Sequence, residues 1–121
     1  MANTFKVVTF AAEPASAGTA YKMYTVAGST TTVVLGLILT NIHSSAVTAE
    51  VELVSDSGSR GGANNVTNGT SFLVKDVNIP AGSSLEVLTG GKVVLETTEY
   101  LNIDCSVADK LSGTLSIMEI T

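Results

Sequence analysis

Residues 32–42 read TVVLGLILTNI, and this run decides the fold class of the chain. Every position from Val33 to Leu39 except Gly36 is apolar, so an extended strand here carries apolar side chains on both faces. Such a strand is central and covered on both sides, or it packs on the core with one face and meets another subunit with the other. The run is far shorter than the roughly 20 apolar residues of a membrane-spanning helix.

Much of the remaining chain alternates apolar and polar residues, which is the pattern of half-buried strands. The clearest examples are residues 47–53 (VTAEVEL) and 101–107 (LNIDCSV). Further strands are predicted near residues 5–10, 20–26, 71–79, 84–89, 92–97 and 113–120, and no stretch keeps the apolar spacing of a helix. Short strands with a turn signal roughly every 8–12 residues are typical of all-β folds. We therefore expect an antiparallel β-sandwich of jelly-roll type with about eight strands.

The chain divides at a stretch of small and turn-forming residues, AAEPASAGT, at positions 11–19. Residues 1–19 are predicted to form an N-terminal strand with a small-residue tether, and residues 20–121 the β-sandwich domain. A first strand on such a tether is free to extend the sheet of a neighbouring subunit. The alternative is that it pairs within its own sheet, and the sequence favours neither arrangement.

The composition excludes several classes of function. Charged residues make up 14% of the chain, well below the roughly 25% of an ordinary globular domain. The 6 basic residues are scattered and the net charge is −5, so we expect no nucleic-acid partner. The single cysteine, Cys105, excludes an intrachain disulfide and fits a protein that folds in a reducing cytoplasm. The N-terminal MANTFKVVTF lacks the features of a signal peptide, and we expect no membrane association.

The motif Gly90-Gly91-Lys92 suggests nucleotide binding at first sight. A P-loop requires G-x-x-x-x-G-K-[ST] followed by a helix, but Glu86 stands at the position of the first glycine and a strand pattern follows the lysine. Two glycines between LEVLT and KVVLE predict a tight β-hairpin instead. The polar loop at residues 56–70 departs from the calcium-loop template, although weak calcium binding elsewhere in that loop stays open.

No residue pattern predicts catalysis, a cofactor or a structural metal. His43 is the only histidine and lies at the end of an apolar run, where a surface or edge position is expected. Cys105 is in phase with the apolar residues around it and is predicted to be a small core residue. Glu50 and Glu52 share one strand face, as Asp104 does with Asn102, and a solvated sheet face explains them better than a glycosidase site. We expect that the protein is not an enzyme.

Three stretches resemble small virion structural proteins of tailed bacteriophages, particularly those of marine and cyanobacterial hosts. They are MYTVAGSTTTVVLGLILTNIHSS (23–45), VKDVNIPAGSSLEVLTGGKVVLETTEYLNIDCS (74–106) and LSIMEIT (115–121). Such proteins often combine a "YTVPAG" turn before a long apolar strand, an "IPAGSSLE" turn and a last strand that ends in "MEI". The likeness extends from residue 20 to the end of the chain.

The resemblance implies a capsid decoration (cement) protein that binds the outer head surface and stabilises neighbouring capsid subunits. The implied partners are the major capsid protein and copies of the chain itself in a homotrimer, and the implied location is the virion head surface after synthesis in the host cytoplasm. The alternatives are a tail, collar or fibre component, or an adhesin module that binds a receptor or glycan. As a hypothesis for partner contacts, Phe5, Val7 and Phe10 of the N-terminal strand augment a neighbouring sheet, and Arg60 in the 56–70 loop touches a second subunit.

Overall fold

The computed structural model of the protein describes residues 2–55 and 69–121. Across these two ranges the chain forms nine strands and no helix: β1 (Asn3–Glu13), β2 (Tyr21–Thr25), β3 (Thr31–Asn41), β4 (Val47–Val54), β5 (Ser71–Ile79), β6 (Ser84–Glu86), β7 (Val93–Leu95), β8 (Tyr100–Cys105) and β9 (Leu111–Ile120). They build two antiparallel sheets that pack face to face. The first sheet has the order β1-β9-β3-β6, with β7 also paired to β3, and the second has the order β2-β8-β4-β5. The predicted β-sandwich is confirmed.

The strand order is that of a jelly roll. β6 pairs with residues 38–40 of β3 and β7 with residues 32–34, so the two short strands occupy one strand position between them. Nine segments therefore fill eight positions. The antiparallel pairs β1–β9, β2–β8, β3–β6/β7 and β4–β5 are nested inside one another along the chain, with the β4–β5 pair innermost. This nesting, divided between two sheets of four positions each, is the double Greek key that defines the fold.

The core lies between the two sheets and consists of the inward-facing residues of the long strands. β3 contributes Val34, Leu37 and Leu39, none of which has any exposed surface. The strands β4, β8 and β9 complete the core with alternate residues: Val47, Ala49, Val51, Leu53, Leu101, Ile103, Cys105, Leu111, Leu115 and Ile117. The burial of Cys105 confirms its predicted role as a small core residue. Burial of one face on each strand is what the alternating sequence pattern predicts.

The glycines at 90 and 91 do not form the predicted hairpin, which is a correction to the sequence analysis. Because β6 and β7 both run antiparallel to β3, they run in the same direction and continue one another. The chain leaves the sheet after Val87, whose N–H donates to the Leu37 carbonyl across 2.9 Å, and returns to it at Val93. Gly90 adopts a positive φ of 76° at this bend, which explains the need for one glycine. The sequence marks the turn correctly, but the partner strand of each flanking segment is β3.

β1 lies along β9 and reaches the core through an aromatic side chain. The two strands pair in unbroken register from Asn3↔Ile120 to Phe10↔Gly113. The Phe10 ring covers Gly113 directly, because a Cβ at residue 113 would overlap ring atoms of Phe10. The ring also packs edge-on against Tyr21 of the second sheet, with 5.3 Å between the ring centroids. An aromatic residue that covers a cross-strand glycine in this way fixes the register of the strand pair.

We predict that Gly113→Ala destabilises the protein by about 1–3 kcal/mol, because the new methyl group must displace the Phe10 ring from its place against Tyr21. Chemical denaturation at neutral pH measures this loss. Phe10→Leu in the Gly113→Ala background removes the overlap, so the double variant should lose less stability than the sum of the two single changes. Additive losses would show that the ring does not rest on the glycine.

Candidate functional site

The outer face of the first sheet carries a row of apolar side chains, although no other element in the described ranges covers it. Its central feature is a row of cross-strand neighbours, Phe5↔Met118↔Val33↔Val94, which crosses β1, β9, β3 and β7 in that order. Val7 lies next to this row on β1, and Ile38 lies further along β3, beyond Gly36. We call the six side chains the outer patch: Phe5, Val7, Val33, Ile38, Val94 and Met118. Neighbouring strands lie about 4.8 Å apart, so the row extends over about 14 Å.

The outer patch contains no charge. On this face β1 presents Asn3, Phe5, Val7 and Thr9, and β9 presents Ser112, Thr114, Ser116, Met118 and Ile120. The nearest carboxylate on the face is that of Glu86, which is paired with Ile38 at the margin of the sheet. Phe5 is 71% exposed, Val7 62% and Val94 47%. The outer patch is therefore an exposed apolar surface without charge of its own.

The outer face of the second sheet has the opposite character. It carries the charged side chains of β2, β4, β5 and β8: Lys22, Glu50, Glu52, Lys75, Asp76 and Asp104. Lys75 is paired with Glu50, with 3.3 Å between Nζ and Oε2, and this hydrogen bond is the main cause of the raised pKa of Lys75. A face with mixed and paired charges is favourable in water. The two outer faces of the sandwich therefore differ: that of the second sheet is charged, and that of the first sheet carries the uncharged outer patch.

A shallow depression of about 210 Å³ lies on the charged face near the end of β8. The amide of Gly18 donates to Oδ1 of Asp104 across 3.2 Å, so that carboxylate already has a partner. Among the residues that the structure describes, no group of three or more His, Cys, Asp or Glu side chains is placed to hold a metal ion. The depression is lined by Gly18, Thr48, Glu50, Asp76, Asp104, Cys105 and Ser106.

The structure places the residues hypothesised to contact partners in three different environments. Phe5 and Val7 belong to the outer patch. Phe10 is only 9% exposed and is directed into the core, so it has no surface to offer a partner while β1 pairs with β9. The reason is the alternation of β1, which directs its even-numbered side chains inward from Thr4 to Phe10. Arg60 lies outside the described residues.

His43, the only histidine of the chain, lies beside a turn that hydrogen bonds of Asn41 hold in place. His43 follows the end of β3, is half-buried, and donates its backbone N–H to Oδ1 of Asn41 across 2.8 Å. Asn41 is fully buried and donates its side-chain amide to the carbonyls of Ser45 and Ile79, both at 2.9 Å. Asn41, the polar residue at the end of the apolar run, therefore stabilises the turn that follows β3. An asparagine between Thr40 and Ile42, at the end of the apolar run, is the only sequence signal for it.

A polar network that the sequence does not reveal fixes the N-terminal half of β1 beside the outer patch. Lys6 lies 2.7 Å from Oε1 of Glu119, and the Tyr24 hydroxyl donates to Oε2 of the same carboxylate across 2.6 Å. Because the Tyr24 hydroxyl proton lies in its bond to Glu119, the Thr32 hydroxyl is the donor in the second bond, to the Tyr24 oxygen 2.8 Å away. The network joins β1, β9 and β3 to β2 of the other sheet. It secures the strand that presents Phe5 and Val7.

The same contacts shift two pKa values. The hydrogen bonds from Lys6 and then Tyr24 lower the pKa of Glu119 below its ordinary 4.5, and they outweigh the opposing effect of burial. Burial, followed by the hydrogen bond to the Glu119 carboxylate, raises the pKa of Tyr24 to about 12. The lowered carboxyl pKa adds stability above the unfolded value of 4.5, and this is lost as the pH falls through the folded value. The raised phenol pKa adds stability below pH 10, which is lost as the pH rises towards 12.

We predict that Glu119→Gln lowers the free energy of unfolding at neutral pH by on the order of 1 kcal/mol, because it removes a charge-assisted pair at a largely buried carboxylate. Denaturation curves should also show that the variant loses less stability than the wild-type protein as the pH falls below 4.5. Glu86→Gln, at an exposed carboxylate of the same sheet, is the control and should keep the acid dependence of the wild type. An unchanged acid dependence in Glu119→Gln would contradict the assignment.

Comparison with known proteins gives no family. No family model matches the chain, and no curated protein matches it. Within the described residues no helix is long and apolar enough to span a membrane. A solved structure of Bacillus endospore appendages, which form a family of disulfide-linked pili, contains a chain similar to this one: the sequences are 16% identical, the TM-score is 0.49, and the match covers 99% of this chain and 87% of the other.

Proposed function

We propose that this protein is a structural, non-catalytic virion protein of a tailed phage, which decorates the outside of the head. In this proposal the outer patch rests on the major capsid protein and bridges neighbouring capsid subunits, while the charged face of the second sheet meets solvent. The observation that carries the proposal is the uncharged apolar row Phe5–Met118–Val33–Val94, on a sheet face that none of the described strands covers. The resemblance in sequence to virion structural proteins supports the choice of partner.

The size of the outer patch fits attachment in many copies. A row of about 14 Å with its flanking side chains covers on the order of 400 Å², and its burial yields roughly 10 kcal/mol at 25 cal/mol per Å². Most of this gain offsets the freedom that is lost on association, which costs roughly 4–15 kcal/mol. One copy therefore binds weakly. Contacts that link several subunits of a lattice gain from multivalency, so a weak patch suffices.

The contrast between the two faces supports an orientation on the particle. Burying charged side chains without good partners is costly, so the face with Glu50, Glu52 and Lys75 is disfavoured against a protein surface. The outer patch contains no charged side chain, so its burial against a protein surface does not carry this cost. A decoration protein needs a stiff scaffold and a contact surface but no reactive group, and a jelly roll with a continuous core supplies both.

The experiment that tests the location is quantitative mass spectrometry of purified particles, with the copy number given relative to the major capsid protein. A ratio of one per capsid subunit, or a simple fraction of it, supports decoration of the head. A few to a few dozen copies would move the protein to the tail, collar or vertex and would overturn the proposal. Absence from every particle would overturn any virion role.

We predict that Val94→Lys lowers the affinity for undecorated heads at least tenfold, because it introduces a charge at one end of the apolar row. Co-sedimentation with heads measures the binding. Phe72→Lys is the matched control: Phe72 is 48% exposed, close to the 47% of Val94, but lies on β5 of the second sheet. Equal losses from the two variants, or none from Val94→Lys, would show that the outer patch is not the contact surface.

A further inference from the structure

The free edge of β1 presents unpaired backbone groups in a regular series. Ala2 and Thr121 exchange both of their backbone hydrogen bonds, at 3.1 and 2.9 Å. In an antiparallel pair every second residue is bonded in this way, so the even-numbered residues of β1 bond to β9 up to Phe10. The N–H and C=O groups of the odd-numbered residues Asn3, Phe5, Val7 and Thr9 therefore point away from β9, out of the sheet.

The other sheet edges in the described ranges are protected against strand addition, whereas β1 is not. The edge at β6 and β7 is interrupted by the bend at residues 88–92. β2 has five residues with a shift in register, and β5 has two shifts, with Asp76 at a positive φ of 50°. β1 keeps one register from Asn3 to Phe10. Its outward-bonding positions carry no charge, proline or glycine, which are the usual devices that block an edge.

We propose that β1 pairs in antiparallel fashion with β1 of a second copy of this chain, about a two-fold axis. The spacing of outward N–H and C=O groups on an antiparallel edge is complementary to itself after a half-turn, so the two copies bond without any further sequence requirement. No other regular edge of comparable length is available among the described strands. The pairing merges the two first sheets into one continuous sheet.

The side chains at this edge agree with such a pair. Phe5 and Val7, the most exposed apolar side chains of the described chain, are also two of the residues with outward backbone groups. Antiparallel pairing brings them against the same residues of the second copy, where aromatic and β-branched cross-strand contacts are stabilising. Lys6 is held by Glu119, so its charge is already compensated. Each copy has a net charge of −5, but the outward-bonding positions of the edge contain no carboxylate.

A perpendicular two-fold axis keeps the outer faces of both copies on the same side of the joined sheet. The two outer patches then become one surface of twice the width, which would bind a lattice bivalently if the proposed function holds. The inference itself does not rest on that function. It departs from the homotrimer that the resemblance implies, because a three-fold ring needs two different mating surfaces and β1 finds no second regular edge in the described part of the chain.

The test uses the purified full-length protein without particles. Sedimentation over a concentration series should give a dimer, and hydrogen exchange should show protection of the Phe5, Val7 and Thr9 amides that grows with the dimer fraction. Exchange is decisive here because these amides have no partner on β9 in the single chain. A monomer at all concentrations, a trimer, or a dimer with rapidly exchanging amides at these positions would overturn the proposal.

The variant that separates this inference from the proposed function is Val94→Lys, whereas the strand pair itself is tested by Val7→Pro. The proline variant removes an N–H that points out of the sheet, so it should abolish the dimer and leave the β1–β9 pairing intact. Val94→Lys, on the far side of the same face, should remain dimeric even where it no longer binds heads. A dimeric Val7→Pro would contradict the strand pair. Should Val7→Pro fail to fold, the exchange pattern of the unmodified protein decides the question.

Discussion

A two-layer sandwich buries only one face of each sheet, and the rest of this structure depends on how that limit acts on β3. The strand lies between β9 on one side and β6 and β7 on the other, and its inner residues Val34, Leu37 and Leu39 are fully buried. Its outer residues Val33 and Ile38 are also apolar, but no third layer among the described residues covers them. β3 therefore carries more apolar residues than the core requires.

The sequence predicts the parts of the fold that follow from local pattern. Alternation in residues 47–53 and 101–107 correctly identifies β4 and β8 as strands that bury one face, and it places Cys105 in the core. Residues 32–42 bury one face in the core, and their other face is not covered by any described strand. These features depend on the side-chain period and the strand length, which can be read from the sequence without knowing which strands become neighbours.

The features that the sequence does not predict depend on which strands become neighbours. The glycine pair at 90–91 looks like a hairpin, but β3 pairs with both flanking segments and so prevents them from pairing with each other. Alternation along β1 places Phe10 on the face opposite to Phe5 and Val7, but only the packing of its ring on Gly113 shows that this is the inner face. The network of Tyr24 and Glu119 joins residues 95 positions apart. Long-range pairings of this kind leave no local signal.

The position of Lys6 shows how the core, the network and the edge are connected. Its side chain leaves β1 on the side opposite to Phe5 and Val7, and its backbone bonds to β9 rather than to the free edge. The residue between the two exposed apolar side chains thus bonds within the chain, while Phe5 and Val7 stay exposed. Alternation along this one strand directs even positions to the inner face of the sheet and odd positions to the outer patch. A slip of one residue in the β1–β9 register would exchange the two sets, expose Phe10 and bury Phe5, so the close fit of the Phe10 ring over Gly113 preserves the outer patch as well as the core.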